Sequence, residues 1–259
     1  MAYRLQIVPR KKRRIMHSDK TMRAPYGLEI IESCLTCPLR EDRLFCDLPP
    51  GALKGLEAIC SSATYPKGAI LFVEGQEPRG VFVLCNGRVK LSTSSADGKS
   101  LILRIAEPGE IIGLPGTMSN RAYEATAEAL EPLQANFIPR EAFLQFLREH
   151  GEAAVRVAQI LSEICHATYQ EVRYLGLSGS AAEKLARFLL DWASHQAQNK
   201  GDVRGTLTLT HEEIAQMIGA SRETVTRLFA DFKRKGLLEI RGSTLVICNK
   251  ATLQKLIEF

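Results

Sequence analysis

Two sets of side chains in this sequence have the types and spacing to do chemistry. Cys34, Cys37 and Cys46 form a C-x2-C-x8-C array, and thiolates are soft ligands suited to an iron-sulfur centre or another thiophilic metal. Three thiolates leave such a centre one short. Cys85 is the expected fourth ligand and Cys60 the other candidate, although the apolar run Val81 to Leu84 would equally suit a small core residue at Cys85. The second set is Arg222, Glu223 and Arg227. A guanidinium donates two hydrogen bonds to guanine O6 and N7, and a carboxylate accepts one from the cytosine amino group. Ser221, Thr224 and Arg241 suit phosphate oxygens, and Thr210 and Thr226 complete the expected DNA-facing set.

Base reading needs a frame that brings one helix to a groove. Ile214, Met217 and Ile218 recur at helical spacing behind Thr210, a candidate N-cap, and Gly219 permits a sharp turn. Ser221 then caps a second predicted helix. Its Val225, Leu228, Phe229 and Phe232 make an inward face, leaving Arg222, Glu223, Thr226, Arg227 and Lys233 outside. Leu207 to Leu209 is predicted as a strand before this helix-turn-helix, and Leu245 to Ile247 as a strand after it.

The run Arg222-Glu223-Thr224-Val225-x-Arg227 resembles the recognition helix of the cyclic-AMP receptor and fumarate-nitrate regulator (CRP/FNR) family. The likeness continues through Gly236, Leu237, Leu238 and the Arg241-Gly242 turn, which look like that family's β-hairpin wing. What it implies is an α+β protein with an antiparallel β-roll sensor domain, a long dimerisation helix and a C-terminal winged helix-turn-helix. The implied function is sequence-specific transcription regulation by a homodimer on an approximately palindromic operator, with RNA polymerase as a protein partner. Oxygen-sensing members carry cysteines ahead of the roll, so the resemblance makes an iron-sulfur cofactor a candidate here. Two departures stand against that transfer. The spacing from Cys37 to Cys46 is longer than in the best-known members, and Asn136 stands where they have another cysteine.

From Ala63 to Pro139, short apolar runs at 69–73, 80–84, 87–91 and 101–105 alternate with glycine and proline turns, as expected of a compact antiparallel roll. Asp97-Gly98 is a hairpin-turn signal. Pro108 to Gly113 looks like the family's cyclic-nucleotide phosphate cassette, but its ligand residues are missing. Leu114 stands where nucleotide binders have a glutamate for the ribose, and Tyr123-Glu124 where they have an Arg-Ser pair for the phosphate. Cyclic AMP is therefore not the expected effector. No histidine lies between Met22 and His150, so the roll offers no imidazole for heme.

Glu141 to Leu175 is helical in pattern, interrupted at Gly151. Ala154, Ala158, Leu161, Cys165, Thr168, Val172 and Leu175 alternate in steps of four and three, the spacing of a coiled-coil seam, and predict a homodimer. Val157, Ile160 and Ile164 supply a second apolar face for packing on the roll. Leu177 to Ser180 is a predicted hinge, 181–198 a helix, and 251–259 a closing helix. The expected organisation is a basic arm at 1–27 carrying Arg10-Lys11-Lys12-Arg13-Arg14, a sensor domain with its cysteine segment at 28–150, a dimerisation helix at 151–176, and a DNA-binding domain at 177–259.

The 259 residues are 45% hydrophobic and 24% charged, enough for two cores. A formal charge of +5 is compatible with nucleic acid without establishing it. No apolar run is long enough for a bilayer and the start lacks a secretory pattern, so a cytoplasmic location with no membrane contact is expected. There the seven cysteines would be reduced or metal-bound rather than paired. A cysteine-dependent redox enzyme is the alternative of a different class. No nucleophile with an ordered base can be assembled and no P-loop occurs, so a non-enzyme is expected. A constitutive or metabolite-controlled regulator without a cluster is the remaining alternative.

Overall fold

The computed structural model describes residues 25–38, 40, 43–177, 180–196, 203–242 and 244–257, without the side chains of 171, 173–177, 195, 196 and 203. The predicted basic arm up to residue 24, and Ser178-Gly179 of the predicted hinge, lie outside these residues. The fold is α+β. Two compact units meet in the sequence at Tyr169 and Gln170, inside the helix Gly151–Leu177.

The first unit begins with a 3-10 turn at Pro25–Gly27 and the cysteine segment, followed by α1 (Pro50–Ile59). Strands β1 (Ser61–Tyr65), β2 (Ile70–Phe72), β3 (Gly80–Asn86), β4 (Val89–Ser94), β5 (Ser100–Ala106) and β6 (Ile111–Ile112) lead to the short helix α2 (Leu114–Ser119), then β7 (Thr126–Ala129) and β8 (Leu133–Pro139). They form two antiparallel sheets, ordered β1-β8-β3-β6 and β2-β7-β4-β5. Strand alternation splits β3 between two cores. Phe82 and Leu84 point between the sheets, where Phe72, Val89, Tyr123 and Leu133 join them. Val81 and Val83 point the other way, onto Phe45, Leu48 and Leu53, together with α3 (Arg140–Glu149) and α4 (Gly151–Leu177).

The second unit holds α5 (Ala181–Gln196), β9 (Val203–Thr206), α6 (His211–Ile218), α7 (Arg222–Arg234), β10 (Leu238–Arg241), β11 (Thr244–Ile247) and α8 (Lys250–Lys255). Leu185, Leu189, Ile214, Val225, Phe229, Phe232 and Leu245 form its core, with Phe188 and Trp192 half-buried against it. The strand predicted at Leu207–Leu209 lies earlier. Val203 to Thr206 pair with Ile247 to Thr244, whereas Leu207 and Leu209 pack onto the core from the extended link into Thr210.

Candidate functional site

Local capping builds the helix-turn-helix. The Thr210 hydroxyl accepts from the Glu213 amide at 3.2 Å, and the Glu213 carboxylate accepts from the Thr210 amide at 2.7 Å, a reciprocal box at the start of α6. Gly219 ends that helix in the left-handed region at φ +62°, which a side chain would strain. Two residues later the Ser221 hydroxyl accepts from the Thr224 amide at 3.2 Å and opens α7. These caps set the angle at which α7 leaves the turn.

Val225, Phe229 and Phe232 bury one side of α7, and Arg222, Glu223, Thr226 and Arg227 are exposed on the other. The Glu223 carboxyl is held below its usual range by its own backbone amide and by the Ser221 hydroxyl, with Arg222 and Arg227 adding to the effect. It is therefore an acceptor at neutral pH. Arg227 Nη2 donates to Thr224 Oγ1 at 3.3 Å. Thr226 folds back instead, donating to the Arg222 carbonyl at 2.9 Å and lying 3.0 Å from His211 Nδ1. The His211 ring stacks on Phe229 at 4.8 Å, tying α6 to α7. Arg241, at the hairpin turn, donates through Nε and Nη2 to Glu239 at 3.0 and 2.7 Å. An exposed pair of this kind is worth about 0–1 kcal/mol, so a phosphate can compete for the guanidinium.

The cassette region of the roll is filled from within. Leu114 is fully buried, and Tyr123 is buried with its ring stacked 4.1 Å from Phe72. The Tyr123 hydroxyl donates to the Gly80 carbonyl at 2.6 Å and accepts from the Gly80 amide at 3.1 Å. Thr117 donates to the same carbonyl at 2.9 Å. Glu124 and Arg121 are exposed. Of the three positions that the resemblance gives to ribose and phosphate partners, Leu114 and Tyr123 are thus buried, the Tyr123 hydroxyl satisfied by Gly80, and Glu124 is exposed.

On the other side of the sheet β1-β8-β3-β6, the cysteine segment is clamped at several points. Gln134, buried on β8, accepts from the Ile31 amide at 2.8 Å and donates to the Ile31 carbonyl at 2.8 Å, as a neighbouring strand would. Glu57 on α1 accepts from the Ser33 hydroxyl at 2.6 Å and the Cys34 amide at 2.5 Å. These contacts hold its carboxyl below the usual range, the Ser33 hydroxyl contributing most. Gly109 has φ +88°, and an added Cβ would lie 2.1 Å from Arg43 Cγ, so only glycine lets the segment pass this closely. Phe45 is buried 6.1 Å from the Phe143 ring, and Asp47 pairs with Arg156 of α4 at 3.1 Å.

Within this clamp, Cys34, Cys37, Cys46, Cys60 and Cys85 all line one cavity, together with Asn136 and aliphatic side chains. Burial pushes the Cys34 and Cys46 thiols up to about 12, and neighbouring thiols push in the same direction. Cys85 and Cys60 are raised too, again chiefly by burial. Ionising such thiols requires a compensating positive charge. An all-sulfur donor set fits a thiophilic centre rather than a hard cation. No three His, Cys, Asp or Glu side chains among the described residues converge as ligands of a single ion.

The predicted seam of α4 divides. Ala154 and Leu161 are half-buried against the roll core, whereas Ala158, Cys165, Thr168 and Val172 are exposed. The Thr168 hydroxyl donates to the Ile164 carbonyl at 2.8 Å, and the side chain of Leu175 lies outside the described residues. Exposed apolar surface runs instead through Val155 at 58%, Tyr169 at 69% and Val172 at 62%, with Ala158, Ser162 and Cys165 between them.

Sequence reasoning missed Gln134, Glu57, His211 and the Asp47–Arg156 pair. For Gln134 a signal existed: Gln134 and Asn136 put two amides on one face of an otherwise apolar strand, where burial demands partners.

Residues 63–150 match the cyclic nucleotide-binding domain family, and residues 183–256 match the Crp-like helix-turn-helix domain family. The chain is 26% identical over 213 residues to a CRP-like cAMP-activated global transcriptional regulator of Mycobacterium tuberculosis, covering 82% of this chain and 95% of the relative. It is 29% identical over 194 residues to the transcriptional activator protein FnrA of Stutzerimonas stutzeri, covering 72% and 76%. In fold it is similar to FixK2 from Bradyrhizobium japonicum, with a TM-score of 0.68, 21% identity and coverage of 78% and 98%. No helix among the described residues is long and apolar enough to cross a membrane.

Proposed function

Because the chain belongs to the CRP/FNR family of transcription regulators, we propose that it binds an approximately palindromic operator as a homodimer and that its roll unit changes the placement of two recognition helices. The observation that carries this reading is the double-capped turn that presents Arg222, Glu223 and Arg227 together on the outer side of α7. Arg222 and Arg227 read guanines, Glu223 reads a cytosine, and Ser221, Thr224 and Arg241 hold phosphates. Thr210 and Thr226 act through the frame, since their hydroxyls are engaged in the capping box and with Arg222 and His211. Two such helices would meet half-sites about 34 Å apart. RNA polymerase is the expected protein partner.

The partner copy docks along α4. Its contact line runs through Val155, Ala158, Ser162, Cys165, Tyr169 and Val172, in alternating steps of three and four, because Ala154 and Leu161 already serve the roll core. The domains follow: an arm at 1–27, a sensor at 28–150, a dimerisation helix at 151–176 and a DNA-binding domain at 177–259.

The signal is redox state or oxygen, received at the thiol-lined cavity. Cys34, Cys37, Cys46 and Cys85 would hold an iron-sulfur centre there, which when bound supplies redox and oxygen-sensitive chemistry. The segment carrying Cys46 also carries Phe45 and Asp47, which touch α3 and α4, so a change at the thiols has a packed route to the dimer helix.

Selection from randomised operators tests the reading face. Arg222→Ala or Arg227→Ala is expected to cost about 1–3 kcal/mol at one guanine and relax preference there. Glu223→Ala should relax a cytosine, and Arg241→Ala should weaken all sequences alike while lowering the salt slope by about one phosphate. Unchanged preferences in all three base-reading variants would sink the assignment.

A further inference from the structure

We infer that His211 is a further DNA contact: its Nε2 binds a backbone phosphate of the operator when the ring is protonated, and operator affinity therefore depends on pH. The inference rests on the DNA-binding reading above and adds a residue to it.

The hydrogen bonds around Thr226 fix where the first ring proton sits. A threonine hydroxyl has one proton to give. Thr226 gives it to the Arg222 carbonyl at 2.9 Å, so at its 3.0 Å contact with His211 Nδ1 the hydroxyl can only accept. Nδ1 therefore carries a proton, and in the neutral ring Nε2 is the bare acceptor. Among the described residues Nε2 has no protein partner, and the side chain is only half-buried. A second proton, taken from solvent, can enter at Nε2 without disturbing the frame. Nδ1 still donates to Thr226, and the ring still stacks on Phe229 with 9° between the planes. Protonation adds a charge and turns Nε2 from acceptor into donor.

The place of the ring selects its ligand. Thr226 is exposed on the outer side of α7, one helical turn after Arg222 and next to Arg227, so the imidazole bound to it lies at the margin of the base-reading set. Outside the grooves a duplex presents phosphate oxygens, which repel a bare lone pair and accept a charge-assisted hydrogen bond from a protonated ring. The charged groups around the ring come from three helices. On α6, Glu212 is exposed, while the Glu213 carboxylate is engaged by the Thr210 amide and hydroxyl at 2.7 and 2.9 Å. Packed against α6, α7 carries Arg222, Glu223 and Arg227, and α5 carries Lys184, Arg187 and Asp191. A phosphate brought to this margin adds negative charge that the protonated ring answers, so the complex takes up a proton there. By linkage, affinity then rises as pH falls.

The experiment uses the full chain and an operator recovered by selection, with affinity measured across a range of salt at pH 6 and pH 8. Wild type should bind about tenfold tighter at pH 6, with a salt slope steeper there by about two per dimer, one phosphate per protomer. His211→Phe keeps a ring on Phe229 and should lose most of both differences, whereas His211→Arg should show the steeper slope at both pH values. A merely structural imidazole would alter affinity equally at the two pH values. One pH profile shared by wild type and His211→Phe would therefore overturn the inference. Nitrogen NMR of the wild type with labelled histidine decides the matter even if the variants fail to fold. Nε2 should be the unprotonated nitrogen of the neutral ring, and operator should extend the protonated form to higher pH. A bare Nδ1, or a titration unmoved by operator, would overturn the assignment and leave the base-reading set intact. A chain that binds no operator at either pH would remove the DNA-binding reading itself, and this contact with it.

Discussion

The two faces of the sheet β1-β8-β3-β6 have opposite characters. Toward the second sheet, Phe72, Phe82 and Tyr123 close the roll on itself, and the Tyr123 hydroxyl spends both of its hydrogen bonds on Gly80. Toward α1, α3 and α4, the same strands present Cys85, Gln134 and Asn136 to a loop that brings three more cysteines. The first face is complete as it stands. The second buries amide and sulfur atoms whose partners come from a segment about a hundred residues away, Gln134 with Ile31 and Asn136 with Cys34, and losing such a partner would cost about 1–3 kcal/mol each. The comparison teaches that one sheet can close a self-satisfied core on one side and, on the other, wall a thiol-lined cavity shared with a segment distant in sequence.

The comparison can be broken most severely at Phe45. Phe45→Ala removes the buried ring that anchors the cysteine segment on Phe143, and should cost about 3–5 kcal/mol in denaturant unfolding. A loss below about 1 kcal/mol would mean the segment is not part of the core. Gln134→Leu is next. It leaves the Ile31 amide and carbonyl without their clamp, so a loss of about 1–3 kcal/mol is expected, with faster hydrogen exchange at the Ile31 amide. Unaltered exchange there would show that the clamp is incidental.

On the closed face, Tyr123→Phe should cost only about 0.5–1.5 kcal/mol, since the ring stays on Phe72 and Thr117 still donates to Gly80. Cyclic AMP should bind neither protein more tightly than about 1 mM by titration calorimetry. Micromolar binding to the wild type would reopen the interior as a ligand site. The smallest effect on stability is expected at Asp47→Asn, where an exposed pair with Arg156 is worth about 0–1 kcal/mol. Its effect should appear in regulation. The ratio of operator affinities with and without oxygen should shrink, and an unchanged ratio would remove Asp47 from the route between the thiols and α4.

Much of the reading unit was legible in sequence, because its determinants are local. A hydroxyl three residues ahead of an amide, a glycine at a left-handed turn and apolar residues one helical turn apart act within a few residues of one another, so Thr210, Gly219 and Ser221 stand where their types require. The strand at Val203–Thr206 was displaced from its expected place because pairing to β11 selects the register, and both stretches have residues that tolerate extension. On α4 only the spacing was open to reading. Its heptad spacing could be counted, but which side of Leu161 meets the roll depends on a core drawn from Phe45, Phe143 and Val157.

Alone, the sequence determined the two-helix frame, the polar side of α7, the departure of Leu114 and Tyr123 from a nucleotide-binding pattern, and the supply of cysteines. Only the tertiary structure decided that five of those cysteines share one cavity, that Tyr123 closes the roll rather than merely failing to bind a phosphate, and that Gln134 holds Ile31 across 103 residues of chain. The reason is range. Caps and periodicities are set by neighbours along the chain, whereas a shared cavity depends on strand register and on a bulge at Cys85, which turn a side chain toward groups distant in sequence.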